Sequence, residues 1–417
     1  MKAFLRCLSW FFCQDDDGDD GVVESCKLAF LPDDIILEIL VRLPVKTLLQ
    51  FKLVCKSWRT LISSPQFAID NLRQRLSTER HLPSRVVYCS NYYPYPRFGF
   101  LQLQPLFMKP TEFKKATDKF AKFSIIEVRS SNSGGFCHDS LVMRGSCNGL
   151  VCLHHLRSSH FWLWNPCTGS TSQQCFPCTE STSQQFFPIE IKSRPIYFGL
   201  GYDHVHDKYK LVTFHEQEDL TRIFTFGANS WTIGPNFPYP AAMNLCGNIG
   251  KFLSSAGTLN WMAKVKEKEW VILSFDMTNE SFGQVSLPRL SGVDDNTDDP
   301  TLQVSMNCLC FTILKDTNFE VWMMKEYGVW ESLMKISPVN DHPSREMRHL
   351  TALSVLEHRV LFTMYENLVM YDCGYDKFYH PLNVECNSDD DIQIHSIYEA
   401  FFPTYFVYHD SLVLPPQ

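Results

Sequence analysis

Five times along this chain an apolar or aromatic pair runs into a polar turn and meets another aromatic beyond it. The segments are LWNPCTGS around Trp164, FTFGANSW around Phe226, LSFDMTNESF around Phe275, VWMMKEYGVW around Met324 and VMYDCGYDKF around Tyr371. Their separations are 62, 49, 49 and 47 residues. The long first interval has a local cause. CTGSTSQQCFP at 167–177 is followed directly by CTESTSQQFFP at 178–188, a tandem duplication of 11 residues that lengthens one loop. A repeat of roughly 40–50 residues, built from several short strands, is the mark of a β-propeller. Further strands fit between the turns, at Gly149–Leu153, Gly257–Trp261, Cys308–Leu314 and Val360–Met364. Five hairpins are visible, residues 86–145 leave room for a sixth unit, and the last strand, in 401–414, is placed to close the ring on the first blade. A sandwich or barrel with coincidental spacing is the weaker alternative.

Ahead of this region the texture is helical. Leu31 to Asn71 reads LPDDIILEILVRLPVKTLLQFKLVCKSWRTLISSPQFAIDN. Pro32 suits a first helical position, and Asp33 and Asp34 fall in the first turn, where the helix dipole favours negative charge. Ile36, Ile39, Leu40 and Leu43 share one face, Pro44 stops that helix and opens the next, and Phe51, Val54, Cys55, Trp58, Leu61 and Ile62 repeat the spacing. Ser64 then Pro65 reads as an N-cap before another short helix. Ile35, Ile36, Leu37, Ile39, Leu40 and Val41 spread round much of the first helix, more apolar surface than one small core needs. The excess reads either as a partner surface or as packing on the rest of the chain.

Composition bounds the function. The chain has 417 residues, 45% apolar and 20% charged, with 38 basic and 46 acidic residues for a net charge of −8. That describes a globular protein of two domains and argues against a nucleic-acid partner, which shows as a basic stripe. The 16 cysteines are scattered, as free thiols of a reducing compartment would be. MKAFLRCLSWFFC at the start resembles a secretion signal only superficially, since Arg6 interrupts it and an acidic run (Asp15, Asp16, Asp17, Asp19, Asp20) follows. No long apolar run marks a membrane span.

Several catalytic and metal motifs occur in part, and each fails on a specific residue or context. Gly145-Ser146-Cys147-Asn148-Gly149 has the letters of a nucleophile elbow, but a strand, not a helix, is expected after it, so Gly149 reads as a turn glycine. The CxxC of Cys175 and Cys178 straddles the duplication junction, so its spacing is an accident of copying. Asp294–Asp299 begins like a calcium loop but has Asp299 at the glycine position and Ser305 at the glutamate position. Gly199-Leu200-Gly201 lacks the third glycine of a dinucleotide site. His204 and His206 read as solvent-facing turn residues. No cofactor, metal or catalytic residue is expected. The most ligand-like stretch is YCSNYYPYPRFGF, with Tyr92, Tyr93, Tyr95 and Arg97 as target-binding candidates, although core packing suits its aromatics better.

The helical stretch matches LPxDxxxEILxRLPxKxLxxFxxVCKxW almost throughout and so resembles the F-box. The resemblance implies a three-helix module that docks on the Skp adaptor of a Skp–cullin–F-box (SCF) ubiquitin ligase. Leu31, Pro32, Ile36, Ile39, Leu40, Leu43, Pro44, Leu48, Val54, Cys55 and Trp58 match the motif positions that form the module and its docking surface. Which of them face the adaptor the sequence leaves open; the first helix, with Leu40 and Leu43, is the place to test it. GSCNGLVCL, LWNP, GLGYDHVHDKYKLV, GTLNWMA, LSFDMTNESF, EVWMMKEYGVWESL and YHDSLVLP resemble the F-box-associated, kelch-like interaction domain of plants. The expected fold is α+β and multidomain: an acidic extension (1–28), a three-helix F-box (29–72), a connector (73–85) and a large all-β propeller of five to six blades (86–417). The resemblance implies a non-catalytic substrate receptor in the cytoplasm or nucleus, linked through the Skp adaptor to a cullin and a RING subunit, with no nucleic-acid or membrane partner. It would hold an unidentified target protein for degradation. A scaffold outside a ligase, a self-incompatibility determinant of the S-locus type and a propeller enzyme are the alternatives.

Overall fold

Among the described residues four helices come first: α1 (Asp33–Val41), α2 (Val45–Phe51), α3 (Lys56–Ile62) and α4 (Pro65–Thr78). The computed structural model describes residues 32–78, 85–90, 97–103, 141–155, 160–172, 196–215, 218–238, 243–265, 269–287, 299–314, 319–338, 350–356, 359–364, 367–375, 377–382 and 404–416. The acidic extension, most of the duplicated segment, Cys175, Cys178 and residues 288–298 lie outside them. Pro32 and Pro44 are the caps of α1 and α2, one residue before each helix, and Asp33 and Asp34 fill the first turn. The Pro32 carbonyl accepts from Ile35 N at 3.0 Å and Ile36 N at 3.1 Å.

The apolar spacing from Phe51 to Ile62 predicts one helix, and here the structure differs. The chain turns after Phe51, and Cys55, extended at φ −154°, caps α3 by accepting from Trp58 N. The module therefore has four helices rather than three. In a straight helix Phe51 and Trp58 would stand about 10 Å apart along the axis; the turn brings their rings to 5.3 Å in one core. Ser64 caps α4 as expected, its hydroxyl accepting from Phe67 N at 3.3 Å. α4 then runs through the basic segment to Thr78, beyond the expected end at 72, because Leu72 and Leu76 pack onto the β domain.

The β domain begins with β1 (Arg85–Ser90) and β2 (Arg97–Gln102). Next come β3 (Leu141–Cys147), β4 (Leu150–His155) and β5 (His160–Trp164). The third group is β6 (Ile196–Asp203), β7 (Lys208–His215), β8 (Glu218–Thr225) and β9 (Ser230–Asn236). The fourth is β10 (Met243–Leu253), β11 (Thr258–Val265), β12 (Glu269–Asp276) and β13 (Ser281–Ser286). The fifth is β14 (Thr301–Ser305), β15 (Cys308–Leu314), β16 (Phe319–Met324) and β17 (Leu333–Pro338). The sixth is β18 (Leu350–Leu356), β19 (Arg359–Met364), β20 (Asn367–Asp372) and β21 (Lys377–Leu382). Finally β22 (Thr404–Tyr408) pairs with β1, register Val86↔Val407, and completes the first group as β22-β1-β2.

Each group is an antiparallel meander, a propeller blade, and the described residues form six. One parallel bridge, Ile249↔Phe198, joins the inner strands of blades three and four. Every gap between neighbouring blades holds its own apolar cluster. Trp164 meets Phe98 and Tyr408 between blades two and one, Trp261 meets Phe214 between four and three, and Met324 meets Ile272 between five and four. Tyr371 meets Val321 between six and five, and Leu361 meets Val86 between six and one. Phe198 and Leu163 fill the gap between blades three and two, in a cluster that continues into the helices. A ring with six filled gaps is closed, and it leaves only the short outer edge of each blade unpaired. The expected closing strand is thus β22, and the sixth unit sought in 86–145 is the blade it completes.

The recurring hairpin signature is the turn from the third to the fourth strand of a blade. An Asn or Asp there accepts two backbone N–H groups: Asn165 from Cys167 and Thr168, Asp276 from Thr278 and Asn279, Asp372 from Gly374 and Tyr375. This local bond is why Asx residues mark the repeat. The FTFGANSW and KEYG turns use Gly227 (φ +84°) and Gly328 (φ +81°) instead.

Candidate docking surfaces

The helical module has its own core. Leu40 is 1% exposed, and Val45, Leu48, Phe51, Trp58 and Ile62 are buried with it. Asn71 on α4 locks the end of α1, its Nδ2 donating to Val41 O at 2.7 Å and Leu43 O at 3.1 Å. With the core complete, large apolar side chains are still left outside. Ile35, Leu37 and Ile39 are each about two-fifths exposed, and Leu53, in the turn after α2, is 77% exposed. Ile35 and Ile39 lie one helical turn apart and form a stripe beside the buried face, with Leu37 on the other flank.

This divides the residues matched by motif. Leu40, Leu48 and Trp58 point into the module. Ile36, Leu43, Val54 and Cys55 are half-buried against its core. Pro32, Ile39 and Pro44 are exposed, and Leu31 lies outside the described residues. Leu40 is therefore not part of an exposed face of α1. Ile35, Leu37 and Leu53 belong to the exposed apolar set, and only Leu53 carried no earlier signal: nothing in its spacing separates a turn residue from a helical one.

The module sits on one end of the propeller. Leu72 and Leu76 of α4 line the axial channel together with Asn148, Ser255 and Asn307, which occupy the turns between first and second strands of blades two, four and five. Arg75 Nη1 donates to Asp410 O at 2.9 Å, just past β22. All six inner strands run towards this end, so the turns from third to fourth strand lie here too. Four of the connections from one blade to the next, 239–242, 288–298, 339–349 and 383–403, leave and rejoin their strands at the opposite end, whereas 104–140 leaves β2 at the F-box end. Segment 91–96, which holds Tyr92, Tyr93 and Tyr95, also leaves and rejoins its strands at the opposite end; these three lie outside the described residues, and Arg97 opens β2 at that same end.

The other sequence candidates are structural. Cys147 is buried, β4 follows it as a strand, and burial pushes its thiol well up, the reverse of what a nucleophile needs. Gly199 and Gly201 on β6 admit the Leu259 and Met277 side chains, which come within 2.7 Å of where a Cβ would stand. His206 is turn-exposed and touches Asp203 at 2.8 Å; His204 Nε2 lies 3.2 Å from Ser254 O. Among the described residues no three His, Cys, Asp or Glu side chains are grouped as metal ligands, and no helix is long and apolar enough to cross a membrane.

Comparison with known proteins agrees with this architecture. Residues 28–70 match the F-box domain family, and residues 118–414 match the F-box associated beta propeller domain family. An F-box/kelch-repeat protein of Arabidopsis thaliana is 27% identical over 379 residues, covering 88% of this chain and 94% of its own length. A second Arabidopsis F-box protein is 28% identical over 271 residues, covering 62% of this chain and 61% of its own. Among solved structures the Dos1 propeller aligns with a TM-score of 0.35 at 8% identity, over 69% of this chain and 67% of that one. With six closed blades behind a helical module that matches the F-box domain, the chain belongs to the F-box proteins that carry an F-box associated β-propeller.

Proposed function

We propose that this chain is the target-recognition subunit of a Skp–cullin–F-box ubiquitin ligase and performs no chemistry itself. The observation that carries the reading is the apolar stripe of Ile35 and Ile39, with Leu53, left exposed on a module whose own core is already complete. Such a surface suits burial against a partner helix or groove. Its position supports the reading further: the module holds one end of the propeller, and the strand ends that flank four of the six blade-to-blade connections lie at the other. Loops on a rigid scaffold are where binding specificity usually resides. One end then takes the Skp adaptor, and through it the cullin and RING subunits, while the other takes a target protein. Tethering raises the effective concentration of target lysines near the ubiquitin thioester. We place the protein in the cytoplasm or nucleus, in keeping with the unpaired thiols of Cys147, Cys152 and Cys310.

The test is adaptor capture by the full chain, wild type beside an Ile39→Asp, Leu53→Asp double variant. Each site sits outside the core, so the melting temperature should stay within about 2 °C of wild type. Losing two apolar anchors should weaken capture by about 100-fold or more. Leu40→Asp is the contrasting control: it buries a charge and should melt the module. Capture that survives in the folded double variant, or a wild type that binds no Skp adaptor, rejects the reading.

A further inference from the structure

The axial channel carries chemistry that the docking surfaces leave unused. It encloses about 640 Å³, and its wall contains two lysines, Lys251 and Lys325, and no aspartate or glutamate. The whole chain has a net charge of −8, so the wall is opposite in sign to the protein around it. Lys251 stands on β10, the inner strand of blade four, and is half-buried. Its Nζ lies 5.5 Å from the ring centroid of Phe406 on β22, the inner strand of blade one. Blades one and four are opposite each other in a six-membered ring, so the ammonium reaches across the axis.

Among the described residues no carboxylate pairs with Lys251, and burial moves its ammonium down to about 8. Lys210 makes the contrast. It too is buried, but Asp203 and Glu280 each lie 2.8 Å away, and their hydrogen bonds outweigh the burial and raise it. Lys251 has only the face of Phe406, which attracts a cation but does not neutralise it. A second group in the same wall is also unsatisfied. Gln303, on β14 of blade five, is 4% exposed, and neither its Nε2 nor its Oε1 has a hydrogen-bond partner. Buried amides are rarely left so.

We propose that the channel binds a small organic carboxylate, with Lys251 as its counter-ion and Gln303 as the hydrogen-bonding group that orients it. The volume falls within the usual range for small-molecule sites. Two lysines suit one or two negative charges and are too few for a polyphosphate. Leu302, Val304 and Phe406 in the wall suit an organic body rather than a bare inorganic ion. Leu72 and Leu76 of α4 form part of the wall at the F-box end. The site does not rest on the adaptor reading and stands or falls without it.

Thermal unfolding of the full chain tests it, with 10 mM sodium benzoate, acetate, phosphate or chloride at matched ionic strength. Benzoate should raise the wild-type melting temperature by about 3 °C, while phosphate and chloride leave it unchanged. Lys251→Met removes an unpaired half-buried charge, so it should fold at least as well as wild type, and it should abolish the benzoate shift. Gln303→Leu should reduce the shift. No rise with either carboxylate, a rise that persists in Lys251→Met, or a rise with phosphate alone overturns the proposal. A rise with an oligo-aspartate peptide but not with benzoate also overturns it, and assigns the channel to an acidic segment of a target.

Discussion

Replacing Gly149 by alanine is expected to destabilise the protein by about 3–5 kcal/mol, from positive-φ strain and overpacking together. Gly149 is at φ +81°, and a Cβ there would stand 2.2 Å from Ser411 Cβ and 2.6 Å from His409 O. Those atoms cannot withdraw cheaply. Asn165 Nδ2 holds Ser411 O at 3.0 Å and Val413 O at 2.7 Å, Arg75 holds Asp410 O, and β22 just before them is paired with β1. The strain therefore bears on the segment that closes the ring. Gly169→Ala separates the two effects: Gly169 is at φ +74° with nothing within 4 Å of its would-be Cβ, so it should cost only about 1 kcal/mol. Urea unfolding of the two variants, with limited proteolysis of the C-terminal tail, reads the difference. If Gly149→Ala costs no more than Gly169→Ala, the tail is not held rigidly against Gly149.

Asp203→Ala should cost a similar amount, about 3–5 kcal/mol, because it strips the buried anion from the cluster and leaves Lys210 with only the part-exposed Glu280 as counter-charge. Asp203 is fully buried and accepts from Val205 N, His206 N, Lys210 Nζ and Thr278 Oγ1. Lys210 also donates to Met277 O and Glu280 Oε1. Asp203 and Lys210 belong to blade three, and Met277, Thr278 and Glu280 to blade four, so the cluster staples two blades at the F-box end. Burial alone would raise the Asp203 carboxyl, but hydrogen bonds from Lys210 and His206 outweigh it and hold it well below the usual range. Its folded pKa thus lies below the unfolded one near 3.9. The unfolded chain takes up the proton first as pH falls, so this stabilisation is present above about pH 4 and lost progressively below it. Asp276 shifts the same way: burial opposes it, and the bonds from Asn279 and Thr278 prevail. Asp203→Asn should flatten part of the acid limb of a melting-temperature profile. An unchanged limb would mean the carboxyl is not held low.

Sequence legibility differed between the two halves for a physical reason. The aspartate signals of α1 act through the backbone of their own turn, so they are readable locally and appeared where expected, while Pro32 stands one residue earlier than expected, at the cap. The break between α2 and α3 was not locally readable, because the Phe51–Trp58 ring contact that rewards it lies outside any one helix. The same limit applied to the docking residues. Ile36, Ile39, Leu40 and Leu43 share one apolar spacing, yet Leu40 is 1% exposed and Ile39 42%. Which flank of an apolar helix is covered depends on where α4 packs, and Asn71 fixes that from thirty residues away. The channel left no motif at all. Lys251 and Gln303 come from different blades, and nothing near either one announces a site.

The type of most elements and the repeat that builds the blades were legible in the sequence. Apolar periodicity, prolines and Asx turns are written into each segment, and a period near 49 residues repeats one hairpin until the chain must curl. Tertiary structure alone decided how the ring closes, which apolar residues remain outside, and which charges go unpaired. Closure joins β1 to β22 across more than three hundred residues, and the sign of the channel wall is set by segments of different blades meeting at one axis. These properties depend on distances between segments, which spacing along the chain does not encode.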